Sequence, residues 1–168
     1  MSWFSLSTVE FQALTLSLWV AGASVLVSLP IATAVAYVLA RCQFWGHSLL
    51  NALVHLPLVL PPVVTGYLLL LAFGRHGVFG PVLEILGLQL AFTAAGAALA
   101  AAVMAFPLIV RAIRLSIESL DPKLEEAART LGASPVRLFV FVILPLIFTG
   151  ILAGAVVGFA KALGEFGA

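Results

Sequence analysis

Four long runs without a charged residue dominate the hydrophobic pattern of the chain. They cover residues 11–40, 42–74, 85–110 and 138–160. A helix needs ~20 apolar residues to cross a bilayer, so each run is long enough for one membrane span and none comfortably holds two. The runs also lack the alternation of apolar and polar residues that the strands of an outer-membrane barrel show. The pattern therefore predicts four membrane-spanning helices, at about residues 11–39, 49–73, 90–113 and 138–163.

The distribution of lysine and arginine predicts how these helices are oriented. Six of these residues fall in the loop after the first span or in the segment between the third and fourth spans, and only Arg75 falls between the second and third. Cytoplasmic loops are enriched in lysine and arginine, so the first and third loops are predicted to face the cytoplasm. The N-terminus then lies outside, residues 1–10 form an extracytoplasmic segment, and residues 11–168 form one transmembrane domain.

The two ends of the chain add expectations of their own. Residues 1–8 contain no lysine or arginine, and the apolar run after them exceeds a signal-peptide core of ~7–15 residues, so we expect the first span to be retained. Four spans with an outside N-terminus place the C-terminus outside as well. The chain stops at Gly164-Glu165-Phe166-Gly167-Ala168 without a polar tail, and we therefore expect it to be truncated at the C-terminus.

The composition agrees with a membrane protein and excludes several other classes. The 168 residues are 63% apolar and 9% charged, whereas a soluble domain has roughly 45–50% apolar and about 25% charged residues. A net charge of +1 provides no basic excess for binding nucleic acid. The single cysteine, Cys42, excludes an internal disulfide and a metal site built from cysteines. No bound metal or cofactor is expected.

Several residues within the spans are candidates for a translocation path. The densest group of prolines is Pro57, Pro61 and Pro62, in the sequence Leu-Pro-Leu-Val-Leu-Pro-Pro of the second span. Each proline removes a backbone donor and bends a helix, which in lipid requires neighbouring helices or water to satisfy the freed carbonyls. The group predicts either a broken helix beside a path, as transporters use, or a kink that only shapes packing. Thr65 and Thr93 are candidate polar lining groups.

Small and ionisable residues in the spans favour structural roles. Gly150, Gly154 and Gly158 repeat every four residues, so they share one helix face on which another backbone can approach closely. Lys161 and Glu165 are also four residues apart and are predicted to pair near the outer interface. His55 is predicted to be a hydrogen-bonded structural histidine.

The segment 116–137 is the only substantial polar insert and is predicted to contain a separate helix at residues 122–131. Asp121 is a suitable N-cap before Pro122, and Gly132 supplies the left-handed residue that ends a helix. A helix this short is marginal in water and needs a surface on which to dock. Its acids and bases are mixed, which favours a protein partner over the bilayer surface. Its apolar stripe consists of Leu124, Ala127, Ala128 and Leu131.

This segment resembles the EAA loop of the permease subunits of ABC importers. The resemblance is carried by Glu126-Ala127-Ala128, by Gly132 and by Ile143-Leu144-Pro145, which have the spacing of the family. Within that family, residues 56–66, 129–133 and 164–167 resemble the molybdate permease branch. The resemblance implies that coupling to the ATPase is carried by residues of this loop, namely Leu124, Glu125, Glu126, Ala127, Ala128, Leu131, Gly132 and Pro145.

The resemblance implies an all-α fold, a polytopic helical bundle of the type I importer kind with four visible spans and a cytoplasmic coupling helix. It further implies a multi-pass inner-membrane protein that forms a homodimer and works with a cytoplasmic ABC ATPase dimer and a periplasmic molybdate-binding protein. The bilayer is the remaining partner, and nucleic acid is not one. ATP is expected on the partner subunit, since the chain has no G-x-x-x-x-G-K-[ST] motif. Import is expected to proceed by alternating access.

Other functions stay open at this stage. A permease for sulfate, tungstate or another oxyanion is the nearest alternative, because the binding protein does much of the selection in such systems. A secondary transporter or channel is compatible with the composition alone, but would typically show repeats or charged groups at the midplane. An intramembrane enzyme is disfavoured, because the single aspartate, Asp121, is predicted to be cytoplasmic and no H-E-x-x-H motif occurs.

Overall fold

The fold is helical throughout the residues that the computed structural model describes, which are 8–74, 77–85 and 93–166. The structure does not describe the predicted start of the third span at Leu90, residues 1–7 of the predicted extracytoplasmic segment, Arg75 or the terminal Gly167-Ala168. In chain order the helices are α1 (Thr8–Arg41), α2 (His47–Val59), α3 (Pro62–Phe73), α4 (Gly80–Ile85), α5 (Ala94–Glu118), α6 (Pro122–Thr130), α7 (Pro135–Leu138), a π-helical turn (Phe139–Ile143), α8 (Leu144–Leu146) and α9 (Phe148–Phe166).

Three helices, α1, α5 and α9, pack against one another and form the body of the described structure. All three are long and apolar enough to cross a membrane, which confirms the all-α membrane fold. The core between them combines large side chains on α5 with small ones on α1. Ile109, Ile113 and Ile117 are fully buried, and Ala32 and Ala36 pack in the same cluster. Outward-facing residues of α1, such as Leu26, are apolar and exposed, as expected of helices that lie in lipid.

The glycine face of α9 forms the contact with α5. Gly150, Gly154 and Gly158 are buried, and a Cβ at each would meet atoms of α5. The nearest atoms belong to Ser116 at Gly150 and to Ile109 at the other two positions. Glycine therefore permits the close approach that the sequence predicts.

The second predicted span consists of two helices, so of the broken helix and the simple kink that its prolines allow, the broken helix is the one observed. The helices α2 and α3 meet at an angle of 117° across a short break. Leu60 has extended backbone angles, which is the conformation that a following proline imposes. Pro61 is the N-cap of α3 and Pro62 its first residue, where a missing N–H has no cost. The three residues thus end one helix and start the next.

The fourth predicted span, at residues 138–163, is also interrupted. Pro145 cannot donate a hydrogen bond to the preceding turn, and just before it the chain forms the π-helical turn, in which Leu144 N–H bonds to the carbonyl of Phe139. Ile147 then leaves the helical conformation before α9 begins. By contrast, α5 runs beyond the predicted end at Ile113 to Glu118, and Thr93 caps its start.

Candidate coupling loop

Helix α6 is built by the caps that the sequence predicts. The Lys123 N–H donates to Oδ1 of Asp121 at 2.9 Å, and Pro122 occupies the first helical position. At the other end Gly132 has φ +82°, the left-handed conformation that glycine adopts most easily. The N–H groups of Gly132 and Ala133 bond to the carbonyls of Arg129 and Ala128, which is a Schellman motif. The predicted helix is confirmed, with Leu131 as its C-cap.

A second capped turn starts directly after α6. The Arg137 N–H donates to Oγ of Ser134 at 3.4 Å, and Pro135 is the first residue of α7. Leu138 is fully buried in the body core, which fixes α7 to the spans. The chain passes from there through the π-helical turn to Pro145. The loop is therefore held at both ends by local hydrogen bonds and by the core.

The predicted apolar stripe of α6 is divided between two faces. Leu131 and Leu124 are 89% and 48% exposed, and Ala127 is exposed beside them. Ala128 is half-buried and packs against the core cluster of the body. Ala128 therefore also contacts the body, and its part in docking stays a prediction. A helix this short needs a surface on its own chain as well, and the small alanine side chain lets α6 lie close to the body.

The two glutamates of α6 point to different surroundings. Glu126 is exposed. Glu125 forms an ion pair with Arg41, whose Nε lies 2.6 Å from Oε1 of Glu125. Of the residues implied in coupling, Leu124, Glu126, Ala127 and Leu131 thus remain open to a partner, whereas Glu125 and Ala128 face the body. The role of these residues in coupling, and that of Gly132 and Pro145, stays a prediction.

The candidate path residues are spread over α2, α3 and the start of α5. Pro57 lies within α2, and Pro61 and Pro62 form the bend. Thr65 is buried, and its Oγ1 donates to the carbonyl of Pro61 at 3.5 Å. The Oγ1 of Thr93 accepts from Gly96 N–H at 3.3 Å as the N-cap of α5. Both threonines therefore have local structural contacts, and a lining role for them stays a prediction.

The ionisable residues predicted to have structural roles in the spans, His55, Lys161 and Glu165, have local partners. Nδ1 of His55 lies 2.9 Å from the carbonyl oxygen of Asn51, which agrees with the structural role predicted for this histidine. Lys161 and Glu165 form the predicted ion pair. No group of three or more His, Cys, Asp or Glu side chains able to hold a metal ion occurs in the described part of the chain.

Two arginine contacts between helices are not predicted by the sequence. Arg41 enters the sequence prediction only through the orientation of the spans, although its side chain reaches α6. Arg114 lies 3.1 Å through Nη1 from Oδ1 of Asn51 and so joins α5 to α2. The two partners in each contact are far apart in sequence. The sequence offers no sign of either contact beyond an arginine near the end of a predicted span.

The long apolar helices, packed around a small-residue interface with a separately capped polar helix between two of them, define an integral membrane protein. Residues 28–168 match the family model described as the binding-protein-dependent transport system inner membrane component, and the chain belongs to this family. It is accordingly a multi-pass inner-membrane protein that serves in transport rather than catalysis, in a system that depends on a binding protein.

The chain is similar to several transport proteins. It is 58% identical over 161 residues to a molybdenum transport system permease protein of Haemophilus influenzae, a match that covers 95% of this chain and 70% of that protein. It is 55% identical over 164 residues to the molybdenum transport system permease protein of Escherichia coli K12, covering 97% and 72%. A probable sulfate transport system permease protein of Chlorella vulgaris is 39% identical over 133 residues, covering 79% and 50%.

Proposed function

We propose that the chain is the permease subunit of an ATP-driven importer that moves molybdate across the inner membrane. The observation that carries this proposal is the 55–58% identity to molybdenum permeases along 95–97% of this chain. The sulfate permease relative is less similar and matches a shorter part of the chain. Molybdate therefore has better support than sulfate as the substrate.

The proposed assembly contains two copies of the permease, a cytoplasmic ATPase dimer and a periplasmic molybdate-binding protein. A binding protein is part of the family description. The need for a separate ATPase rests on the sequence, which has no phosphate-binding G-x-x-x-x-G-K-[ST] motif. The two-copy stoichiometry rests on the resemblance to importer permeases. The N-terminus is proposed to lie outside, which places α6 in the cytoplasm.

Helix α6 is proposed to dock on the ATPase through its exposed side. Leu131, Leu124 and Ala127 form the apolar part of this surface, and Glu126 lies beside it. Burial of one leucine contributes about 1.5–3 kcal/mol, so these apolar residues would add measurably to the docking energy. Ala128 and Glu125 connect the same helix to the body, so that a movement of the docked helix can be transmitted to the spans.

Transport is proposed to follow alternating access. ATP binding draws the two α6 helices together, the spans open outward and accept the anion from the docked binding protein, and hydrolysis restores the inward state. The bend between α2 and α3 is the proposed movable part, because its backbone is already broken at Pro61 and Pro62. Hydroxyl and backbone donors suit an anion path, since binding must be weak enough to allow release.

Reconstitution of the complete importer in liposomes tests this function. The permease, its ATPase and loaded binding protein should accumulate radiolabelled molybdate only with ATP inside the compartment that holds the ATPase. Excess unlabelled molybdate should compete far better than sulfate. Equal competition by sulfate would assign the system to oxyanions in general. Uptake that needs an ion gradient and no ATP would instead identify a secondary transporter.

A further inference from the structure

The cytoplasmic end of α1 makes contacts on both sides of the coupling loop. Arg41, the last residue of α1, binds α6 through the ion pair with Glu125. Tyr37 lies one turn earlier on the same side of α1, and its ring lies 5.0 Å from that of Phe139, edge to face, in the π-helical turn. Residues on both sides of Gly132 therefore contact α1, through Tyr37 and Arg41.

Arg41 also binds the end of α5. Its Nη2 donates to the carbonyl oxygens of Ile117 at 3.0 Å and Leu120 at 3.3 Å. The last carbonyls of a helix lack partners within the helix, and a cation there is favoured by the helix dipole. One guanidinium thus joins the C-terminal ends of α1 and α5 to a side chain of α6. Arginine suits this task because its planar group donates in several fixed directions.

The burial of the pair distinguishes it from a surface salt bridge. The side chains of Arg41 and Glu125 are only 19% and 12% exposed, whereas an exposed pair contributes little. Removal of one partner would leave the other charge poorly solvated, which is costly. Among the described residues, this ion pair joins two different helices, whereas the Arg114–Glu118 pair lies within α5 and the Lys161–Glu165 pair lies within α9.

We propose that Arg41 and Glu125 are positioning residues that transmit the movement of α6 to α1 and α5. The proposal rests on the coupling role of α6 given above and adds the link by which force reaches the spans. The exposed residues of α6 bind the ATPase, and the Arg41–Glu125 pair makes α6, α1 and α5 move as one unit. Without the pair, α6 still docks but moves without the spans.

The test uses Arg41→Gln and Glu125→Gln in the complete importer. Glu125→Gln removes the negative charge that pairs with Arg41 and keeps the Arg41 contacts to α5, so it remains informative if Arg41→Gln folds poorly. Glu118→Gln is the matched control, because it removes an ion pair that lies within α5, between Arg114 Nε and Glu118, and leaves the Nη1 of Arg114 free to keep its contact with Asn51 of α2. The double variant shows whether the two residues act together.

Two measurements are needed. The first is the stimulation of ATP hydrolysis by loaded binding protein, compared with the amount of ATPase that co-purifies. Both single variants should lose about 2- to 30-fold in stimulation, the range in which substitutions along a coupling network act, while ATPase co-purification is retained. The double variant should lose no more than the worse single one. The second is hydrogen exchange in the isolated permease, where the amides of α6 should exchange faster in both variants.

Normal stimulation and unchanged exchange in Glu125→Gln, equal to the Glu118→Gln control, would overturn the proposal. Additive losses in the double variant would also overturn it, because the residues would then act separately. Loss of ATPase co-purification would assign the pair to docking instead. These outcomes leave the importer function intact, since the unsubstituted importer would still respond to loaded binding protein. A failure of the unsubstituted importer to respond would count against the proposed function itself.

Discussion

Ile109 of α5 occupies the space that a side chain at Gly158 of α9 would need. A Cβ on Gly158 would lie 2.6 Å from both Cγ1 and Cδ1 of Ile109, which is fully buried. Gly150 is similarly close to Ser116, where the nearest atom is a Cβ that cannot rotate away. The separation of α5 and α9 is therefore set by the absence of side chains on this face.

The first prediction concerns this contact. Gly158→Ala and Gly150→Ala should lower the free energy of unfolding by about 1–3 kcal/mol each, because overpacking a closed contact shifts helices or rotamers. Gly150→Ala should be the worse of the two. Gly164→Ala is the control, since a Cβ there would meet no atom within 4 Å. Thermal unfolding in detergent ranks the stabilities of the three variants. Equal stability of all three would contradict the prediction, because α5 and α9 could then move apart without loss of stability.

The second prediction concerns orientation. In a Cys42→Ser background, Ser119→Cys should react with an impermeant thiol reagent only when the inner face is accessible. Val78→Cys should react from outside. Both positions are exposed, and Val78 is preferable to Gly77 because a Cβ at Gly77 would approach backbone carbonyls of α3. Native Cys42, which is exposed, provides a third probe that should label from inside. Labelling of Ser119→Cys from outside would reverse the topology.

The features that the sequence predicted correctly are those with local causes. The limits of α6 depend on Asp121, Pro122 and Gly132, which act on their own backbone through a cap, a fixed φ and a positive φ. The glycine face of α9 follows from a spacing of four. Charge-free runs located the spans because bilayer thickness sets their length. Each of these signals lies within a single continuous stretch of the sequence.

The features that were missed depend on residues far apart in sequence. Arg41 and Glu125 are separated by 84 positions, and nothing in either neighbourhood marks the pair. The contact of Ala128 with the body is not predicted either, because helical periodicity gives the faces of a helix but not the side that meets the body. The prolines of the second span indicated a break, yet a kink and a bend of 117° have the same local sequence signal.

The third prediction concerns that bend. Replacement of both Pro61 and Pro62 by alanine should restore backbone donors and let α2 and α3 approach a continuous helix. If the bend is the movable part, molybdate uptake should fall strongly while ATPase co-purification is unchanged. Pro30→Ala is a suitable control because Pro30 lies within the uninterrupted α1. Normal uptake by the double alanine variant would assign the prolines to packing alone.

The fourth prediction concerns the end of α6. Since a Cβ at Gly132 would meet no atom within 4 Å, any effect of a substitution there comes from the positive φ and not from crowding. Gly132→Val should redirect α6 and lower both ATPase co-purification and stimulated ATP hydrolysis. Gly132→Asn should be tolerated better, because asparagine adopts the left-handed conformation more readily. Equal behaviour of the two variants would contradict a backbone cause.

The fifth prediction separates the two faces of α6. Leu131→Ser should weaken ATPase binding by about 10- to 100-fold, corresponding to the ~1.5–3 kcal/mol of one buried leucine, with the stability of the permease unchanged because Leu131 is exposed in it. Val136→Ser is the matched control, since Val136 is exposed and apolar but lies on α7. A loss with Val136→Ser and none with Leu131→Ser would move the docking surface to α7.

Ala128→Trp should behave differently from Leu131→Ser, because Ala128 packs against the core cluster of the body. A tryptophan there should push α6 away from the spans, lower the stability of the isolated permease and raise hydrogen exchange in α6.

Glu126→Gln tests the exposed carboxylate. ATPase binding should lose about 1–3 kcal/mol if this carboxylate meets a buried cation in the complex, and nearly none if it stays solvated. Isothermal binding of the ATPase and unfolding of the free permease, measured on the same variants, distinguish docking from anchoring. If Ala128→Trp weakened docking while leaving the free permease as stable as before, Ala128 would belong to the docking face after all.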